Sequence, residues 1–220
     1  MNLRYRLFAE GLGTAFLLAV VVGSGIMAQR LAPGNEALTL LANSTATGAG
    51  LLALTAALAP VSGAHFNPLV SLVMCVRGDL SWKALPGYII LQFTGAILGV
   101  FATHAMFSVP ILEVATKPRP GWPLVWSELI ATFGLLLVVH HTSMKRPDSM
   151  PAAVGCYIAA AYWFTSSTSF ANPAVALART FTDTFTGINP VNLPVFMVGE
   201  CVGALLFLFY LHRTRVRIAD

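Results

Sequence analysis

The sequence predicts an all-α membrane protein with six transmembrane helices and two re-entrant half-helices, folded as an inverted repeat of three plus three spans. Composition is the first ground: 56% of the 220 residues are hydrophobic and only 10% are charged, where a soluble domain carries about 25% charge. A mean hydropathy of +0.74 agrees. The second ground is a series of apolar stretches, each long enough to cross a bilayer and bounded by charge. The third is a pair of breaks, Asn67-Pro68 and Asn172-Pro173, at matching places in the two halves of the chain. So few charges cannot cover a water-facing surface, which excludes a soluble enzyme, a secreted disulfide scaffold and a disordered chain. The length excludes a large multidomain transporter. An isoelectric point near 9.2 does not imply nucleic acid, because the basic residues sit in short flanks between apolar runs and form no single patch.

A spanning helix needs roughly 20 mainly apolar residues to cross about 30 Å of hydrocarbon. Reading from charge to charge places spans at about 7–28, 37–59, 84–107, 123–142, 151–170 and 191–211. The first follows Arg4 and Arg6, as a signal peptide would. Its apolar run exceeds the roughly 7–15 residues of a signal core and Glu10 stands near its start, so it reads as an uncleaved helix. With both termini cytoplasmic, nine of the 13 Lys and Arg lie inside: Arg4, Arg6, Arg77, Lys83, Lys145, Arg146, Arg213, Arg215 and Arg217. Arg30, Lys117, Arg119 and Arg179 fall outside. That bias follows the positive-inside rule, and the basic C-terminal end reads as a headgroup anchor.

Cys75, Cys156 and Cys201 lie in apolar segments without any C-x-x-C spacing. They read as small buried hydrophobes, not as disulfide or zinc ligands. The histidines are scattered except for His140-His141, and neither a metal site nor a cofactor is expected.

The two breaks run Ser62-Gly63-Ala64-His65-Phe66-Asn67-Pro68-Leu69-Val70 and Ser169-Phe170-Ala171-Asn172-Pro173-Ala174-Val175. Each follows a span and precedes a short apolar stretch of about ten residues. Ten residues make roughly 15 Å of helix at 1.5 Å each, half a bilayer. Asn is a preferred N-cap, and Pro suits the first helical position because its missing N–H would be unpaired there anyway. Other motifs match across the halves. Glu10-x-x-Gly13-Thr14 answers Glu128-x-x-Ala131-Thr132, and Gln92-x-x-Gly95-Ala96 answers Glu200-x-x-Gly203-Ala204. Three spans per half is an odd number, so the second half inserts upside down and the two half-helix starts meet near the midplane. Irregular backbone at that depth survives only inside protein or beside a water-filled cavity. Each helix start carries roughly half a positive charge, and each Asn amide offers a donor to the cavity. Oxygen acceptors are favoured there and cations are not. The pattern predicts a pore for neutral polar solutes.

These residues resemble the major intrinsic protein family, the aquaporins and aquaglyceroporins, over nearly the whole chain. The resemblance implies one channel domain over 1–220, with inverted repeats at about 1–110 and 121–220. It also implies a homotetramer in the lipid bilayer, with a bacterial inner membrane as the expected location. Passage of water and small neutral solutes would be gradient-driven, with no chemistry and no ATP. Carried over by position, Asn67, Pro68 and Leu69 form one box and Asn172, Pro173 and Ala174 the other. His65 resembles the pore-lining residue of the first loop, and Glu10 and Glu128 resemble the buried acceptors that brace the loops. The competing reading of the two glutamates is dipole partners at helix starts.

Two departures stand out. Leu69 occupies the place of the first box's Ala, adding bulk beside the midplane while leaving the Asn67 cap in place. Val175 occupies the place where the family usually carries Arg. Counted ungapped, the constriction falls on Thr47, Ala160, Ser169 and Val175, all small or apolar, which implies a wide opening. Arg179 lies one helical turn beyond Val175. It is expected in the vestibule, paired with a group such as Asp183; the alternative is that it partly replaces the missing Arg. Glu200 is an acid inside a span with no evident partner. The leading function is a passive channel for uncharged solutes larger than water: glycerol- and urea-like solutes, and metalloid acids such as arsenite or methylated arsenicals. The alternatives are a water-selective channel with a degenerate filter, a proton-coupled transporter using Glu200 or Glu10, and a closed structural protein.

Overall fold

The computed structural model describes residues 2–218, with side chains through Thr214. The side chains of Arg215 and Arg217, expected as headgroup anchors, lie outside the described residues. Among the described residues the chain is helical with no strand. α1 (Leu3–Leu31) starts at Asn2, whose Oδ1 accepts the Arg4 N–H at 3.1 Å. α2 (Glu36–Ser62) starts at Asn35, which accepts the Leu38 N–H at 3.0 Å. It stops at Gly63, where φ of 97° needs a residue without Cβ. The half-helix α3 (Pro68–Arg77) and the spanning α4 (Leu85–Phe107) complete the first half. The order then repeats: α5 (Trp122–Lys145), α6 (Met150–Phe164), the half-helix α7 (Pro173–Ala178) and α8 (Leu193–Ile218). Five of these helices, α1, α2, α4, α5 and α8, are long and apolar enough to cross a membrane by themselves.

Two expectations are corrected. The fifth span, expected over 151–170, is α6 and ends at Phe164. The hydroxyls that follow compete for backbone groups. Thr165 Oγ1 donates to the Ala161 carbonyl at 2.7 Å, Ser127 Oγ accepts the Ser166 N–H at 3.2 Å, and Ser167 Oγ accepts the Ser169 N–H at 3.2 Å. Short polar side chains end helices in this way. The second half-helix, expected at about ten residues, has six, followed by a tight turn over Arg179–Phe181. There Thr180 Oγ1 takes the Leu177 carbonyl at 2.7 Å, and Thr182 is extended.

Small residues set the spacing between helices, as is usual in lipid. Gly95 and Gly99 of α4 leave no room for a Cβ against the Gly11 and Ala15 carbonyls of α1. Gly199 and Gly203 of α8 do the same against the Val125 and Leu129 carbonyls of α5. The outward faces carry exposed Phe16, Ile90, Leu98, Trp126, Leu205 and Phe209. An apolar exterior is what a bilayer solvates. This also corrects the cysteines: Cys75 is buried, but Cys156 and Cys201 are exposed on that outer surface. An apolar helix face in lipid need not turn inward.

Candidate functional site

α3 and α7 begin side by side, and their caps are interlocked. Asn67 Oδ1 accepts the Leu69 N–H at 2.9 Å, and its Nδ2 donates to the Ala171 carbonyl at 2.7 Å. Asn172 Oδ1 accepts the Ala174 N–H at 3.0 Å, and its Nδ2 donates to the Phe66 carbonyl at 2.8 Å. An amide nitrogen has two hydrogens. One hydrogen of each Asn therefore ties the loops together and one remains for the cavity, where sequence reasoning left the whole NH₂ free. The backbone leading in is left-handed at equal offsets from each Asn: Ala64 and Phe66 (φ 51° and 49°), and Ser169 and Ala171 (φ 49° and 48°). Such non-glycine residues cost about 1–3 kcal/mol each and persist only where the surroundings over-determine them.

Buried acids supply that determination. Glu10 Oε1 accepts the Ser62 hydroxyl at 2.6 Å and the His65 N–H at 3.0 Å. Its Oε2 accepts the Phe66 N–H at 2.7 Å and Gln92 Nε2 at 2.8 Å. Glu128 Oε1 and Oε2 accept the Phe170 and Ala171 N–H groups at 3.0 and 2.7 Å. Glu200 Oε1 accepts the Asn172 N–H at 2.9 Å. Sequence reasoning found no partner for Glu200, because the loop that meets it is 28 residues away along the chain. The pairing of Gln92-x-x-Gly95 with Glu200-x-x-Gly203 was the signal, since Gln92 also reaches its own half's glutamate.

A cavity of about 550 Å³ passes both asparagines. Along α2 its wall runs from Thr47 through Leu51 and Thr55 to Ser62, about 22 Å of helix. One end carries Arg6, Arg77 and Asp79, with the Arg77–Asp79 ion pair at 2.8 Å. Next comes His65, whose Nδ1 lies 3.0 Å from Ser71 Oγ. The other end carries Thr47, Tyr162, Ser169, Val175 and Arg179. Thr47 Oγ1 and Tyr162 Oη are 3.3 Å apart, while Ser169 Oγ is buried with no partner among the described residues.

The structure thus brings Thr47, His65, Asn67, Ser169, Asn172, Val175 and Arg179 to one cavity. Ala160 is not among them: it is exposed on the outer face of α6, and this placement corrects the ungapped count. Val154, Ile158 and Tyr162, spaced by one turn each, form the α6 wall instead. The stretch from the α6 wall to Asn172 is two residues shorter than the count assumed, which moves the facing residue from 160 to 162. An aromatic ring therefore stands where a methyl was expected. Leu69 is packed in the core with Val70 and Val73, and Pro68, Pro173 and Ala174 are likewise buried.

Arg179 is also corrected. It does not pair with Asp183, whose Oδ1 accepts the Thr116 N–H and hydroxyl at 2.8 and 2.9 Å. Its Nε donates to the Thr186 carbonyl, and its guanidinium lies 3.5 Å from the Phe170 ring centroid, a cation–π contact. Among the described residues its Nη atoms have no hydrogen-bond partner, and the side chain lines the cavity. Arg119 approaches the same ring at 5.7 Å. Nearby, in the connection before α5, burial and then the Arg119 charge hold the Lys117 ammonium below its usual pKa.

Comparison with known proteins agrees with this geometry. The profile of the major intrinsic protein family matches residues 2–211. The chain belongs to the major intrinsic protein family. Aquaglyceroporin AqpS of Rhizobium meliloti (strain 1021) is 51% identical over 205 residues, covering 93% of this chain and 87% of the relative. Aquaporin-5 of Rattus norvegicus is 30% identical over 218 residues, covering 90% and 76%. The aquaglyceroporin from Plasmodium falciparum superposes with a TM-score of 0.69 at 24% identity over 94% of each chain, which shows the shared aquaporin fold. As a major intrinsic protein, the chain is an integral membrane channel for water and small solutes and not an enzyme.

Proposed function

We propose that this channel passes uncharged solutes larger than water: glycerol- and urea-like solutes, and undissociated metalloid acids such as arsenite or methylated arsenicals. The observation that carries the reading is Val175. It lines the cavity on the first turn of α7, three residues beyond Asn172, so the wall there is a short apolar side chain. The guanidinium sits a turn further along, held to the side by Phe170 and Thr186. A solute with several oxygens meets donors in sequence: the Arg179 Nη groups, the Ser169 hydroxyl and the remaining Asn hydrogens. Apolar Val175, Leu51 and Ile158 give its carbon face a surface. Cations meet the positive ends of α3 and α7 and the Arg179 charge. The 51% identity to a protein named as an aquaglyceroporin supports the polyol part of the reading.

A second reading, a water-preferring channel, has one observation in its favour: the Tyr162 ring, bonded to Thr47, occupies the wall opposite Val175. Swelling of proteoliposomes in gradients of glycerol, urea and arsenite, beside water, separates the two. The wide-pore reading expects flux of the larger solutes, and Val175→Arg should lower it about tenfold or more while water flux falls less, as lost room in a pocket discriminates by about 10- to 200-fold. Water-only flux in the unaltered protein overturns it in favour of the second reading.

The same proposal takes the halves at about 1–110 and 121–220 as one channel with both termini cytoplasmic. It places the protein in a bacterial inner membrane as a homotetramer with one pore per subunit. The Lys and Arg distribution supports the orientation, and the exposed apolar outer faces suit lipid and neighbouring subunits.

A further inference from the structure

Glu200 and Glu128 are both fully buried, and they are neighbours: Glu128 Oε2 and Glu200 Oε1 accept the consecutive N–H groups of Ala171 and Asn172, and Gly199, beside Glu200, packs against the Glu128 Cβ. Two ionised carboxylates cannot donate to each other, and two bare charges in contact without water repel strongly. Both Glu128 oxygens are occupied as acceptors by the Phe170 and Ala171 N–H groups, and Glu200 Oε1 by that of Asn172. Glu200 Oε2 is left with no donor among the described residues. The matching position in the other half shows what such an atom does. There Gln92 Nε2 donates to Glu10 Oε2 at 2.8 Å.

We propose that Glu128 and Glu200 share one proton, carried on Glu200 Oε2 and donated to the Glu128 carboxylate, so that a neutral Glu200 performs the task of the Gln92 amide. Glu200 is then a positioning residue. Its carbonyl oxygen accepts the Asn172 N–H, its hydroxyl satisfies Glu128, and between them they fix the loop that carries Ser169, Phe170 and Asn172. The pair holds a single negative charge, in the field of Arg179 and Arg119. α6 adds Tyr157 and Tyr162, and α8 adds Cys201, with Tyr210, His212 and Arg213 toward its far end. α5 adds His140, His141 and Lys145 toward its far end, and α3 adds only Cys75 and Arg77. No cation is bonded to Glu200 among the described residues, so nothing replaces the proton if it is lost. Above the pH at which it dissociates, two carboxylates face each other, and the loop must give.

Infrared spectra of the channel in lipid bilayers test this directly. At neutral pH the unaltered protein should show a protonated-carboxyl C=O band, shifted in D₂O, that Glu200→Gln lacks. Identical spectra overturn the proposal. In swelling assays Glu200→Gln should keep solute flux within about twofold, because it retains both donor and acceptor, while Glu200→Leu should lower flux about tenfold by orphaning buried groups. The unaltered channel should lose flux reversibly on the alkaline side, where Glu200→Gln stays flat. A Gln variant as damaged as the Leu variant, or one with the same alkaline loss as the unaltered protein, overturns the assignment. If the Leu variant does not fold, the infrared band and the Gln profile still decide it.

Discussion

The two re-entrant loops meet through equivalent asparagines yet are held by different chemistry. Around Asn67 one carboxylate, Glu10, collects four donors, one of them the neutral amide of Gln92. Around Asn172 the backbone donors are divided between two acids, Glu128 and Glu200. The half-helices differ too. α3 has ten residues and turns Val70 and Met74 to the cavity; α7 has six, and at the same offsets from its Asn, Val175 on α7 and Arg179 in the turn that follows it line the cavity. What is common to both halves, the caps, the left-handed residues and the acid brace, is support for the backbone. What differs between them is the number of acids in the brace and the residue seven positions beyond each Asn, Met74 in one half and Arg179 in the other. Support is symmetric and selection is not.

The largest effect should come from breaking the brace that has only one acid. Glu10→Leu strips the acceptor from the Ser62 hydroxyl, two backbone N–H groups and the Gln92 amide at once, at about 1–3 kcal/mol for each buried donor left unpaired. We expect no monodisperse protein in detergent. Glu128→Leu orphans two backbone donors and the Glu200 hydroxyl, but Glu200 still holds the Asn172 N–H, so this loop keeps a second acid. It should yield folded protein with a lowered thermal midpoint. Equal recovery of the two variants, measured by size-exclusion and thermal unfolding, would break the comparison.

A smaller effect sharpens it. Gly13 lies three residues after Glu10, and a Cβ there would overlap the Phe66 ring. At the equivalent place after Glu128 the chain carries Ala131, fully buried, and the residue equivalent to Phe66 is Ala171. The two halves fill the same space with opposite size choices. Gly13→Ala should destabilise by about 1–3 kcal/mol through overpacking. Adding Phe66→Ala should recover part of that loss, a coupling that a double-mutant cycle measures. Additive losses would mean that the ring and the glycine do not share the space.

Much of the scaffold was legible because it rests on local chemistry. Asn-Pro at a helix start, the length of an apolar run and the Glu-x-x-Gly spacing each follow from a few adjacent residues. The constriction was less legible. Its α6 member depends on how many residues the loop over 165–172 uses before α7 begins, and hydroxyl side chains set that number by taking backbone bonds. Counting without a gap therefore reached Ala160 on the lipid face, two positions before Tyr162. The partner of Glu200 was hidden for a different reason: it is a backbone N–H, that of Asn172, and no residue type announces it. The Arg179 pairing failed because the near acid in sequence, Asp183, is drawn to Thr116 of a distant connection.

The smallest effect bears on the charge of Arg179, which stands where the other half carries Met74. Arg179→Met places at the α7 position the residue that α3 carries at Met74, making the two half-helices alike on the cavity side. Removing a buried charge held by one carbonyl and an aromatic face should cost little stability, since replacing buried ions by apolar groups of similar volume is often neutral or better. The field is another matter. Without the guanidinium the Arg179 end of the cavity loses its fixed positive charge and its free Nη donors. Neutral solute flux should change only about two- to threefold, whereas leak of protons and small cations should rise, because a fixed charge lining a narrow cleft acts on ions far more than on neutral molecules. Dye-based proton-leak and swelling assays on the same proteoliposomes read both quantities. An unchanged leak would show that the interlocked asparagines and the two helix starts exclude cations unaided, and that Arg179 serves only to hold Phe170 and the Thr186 carbonyl in place.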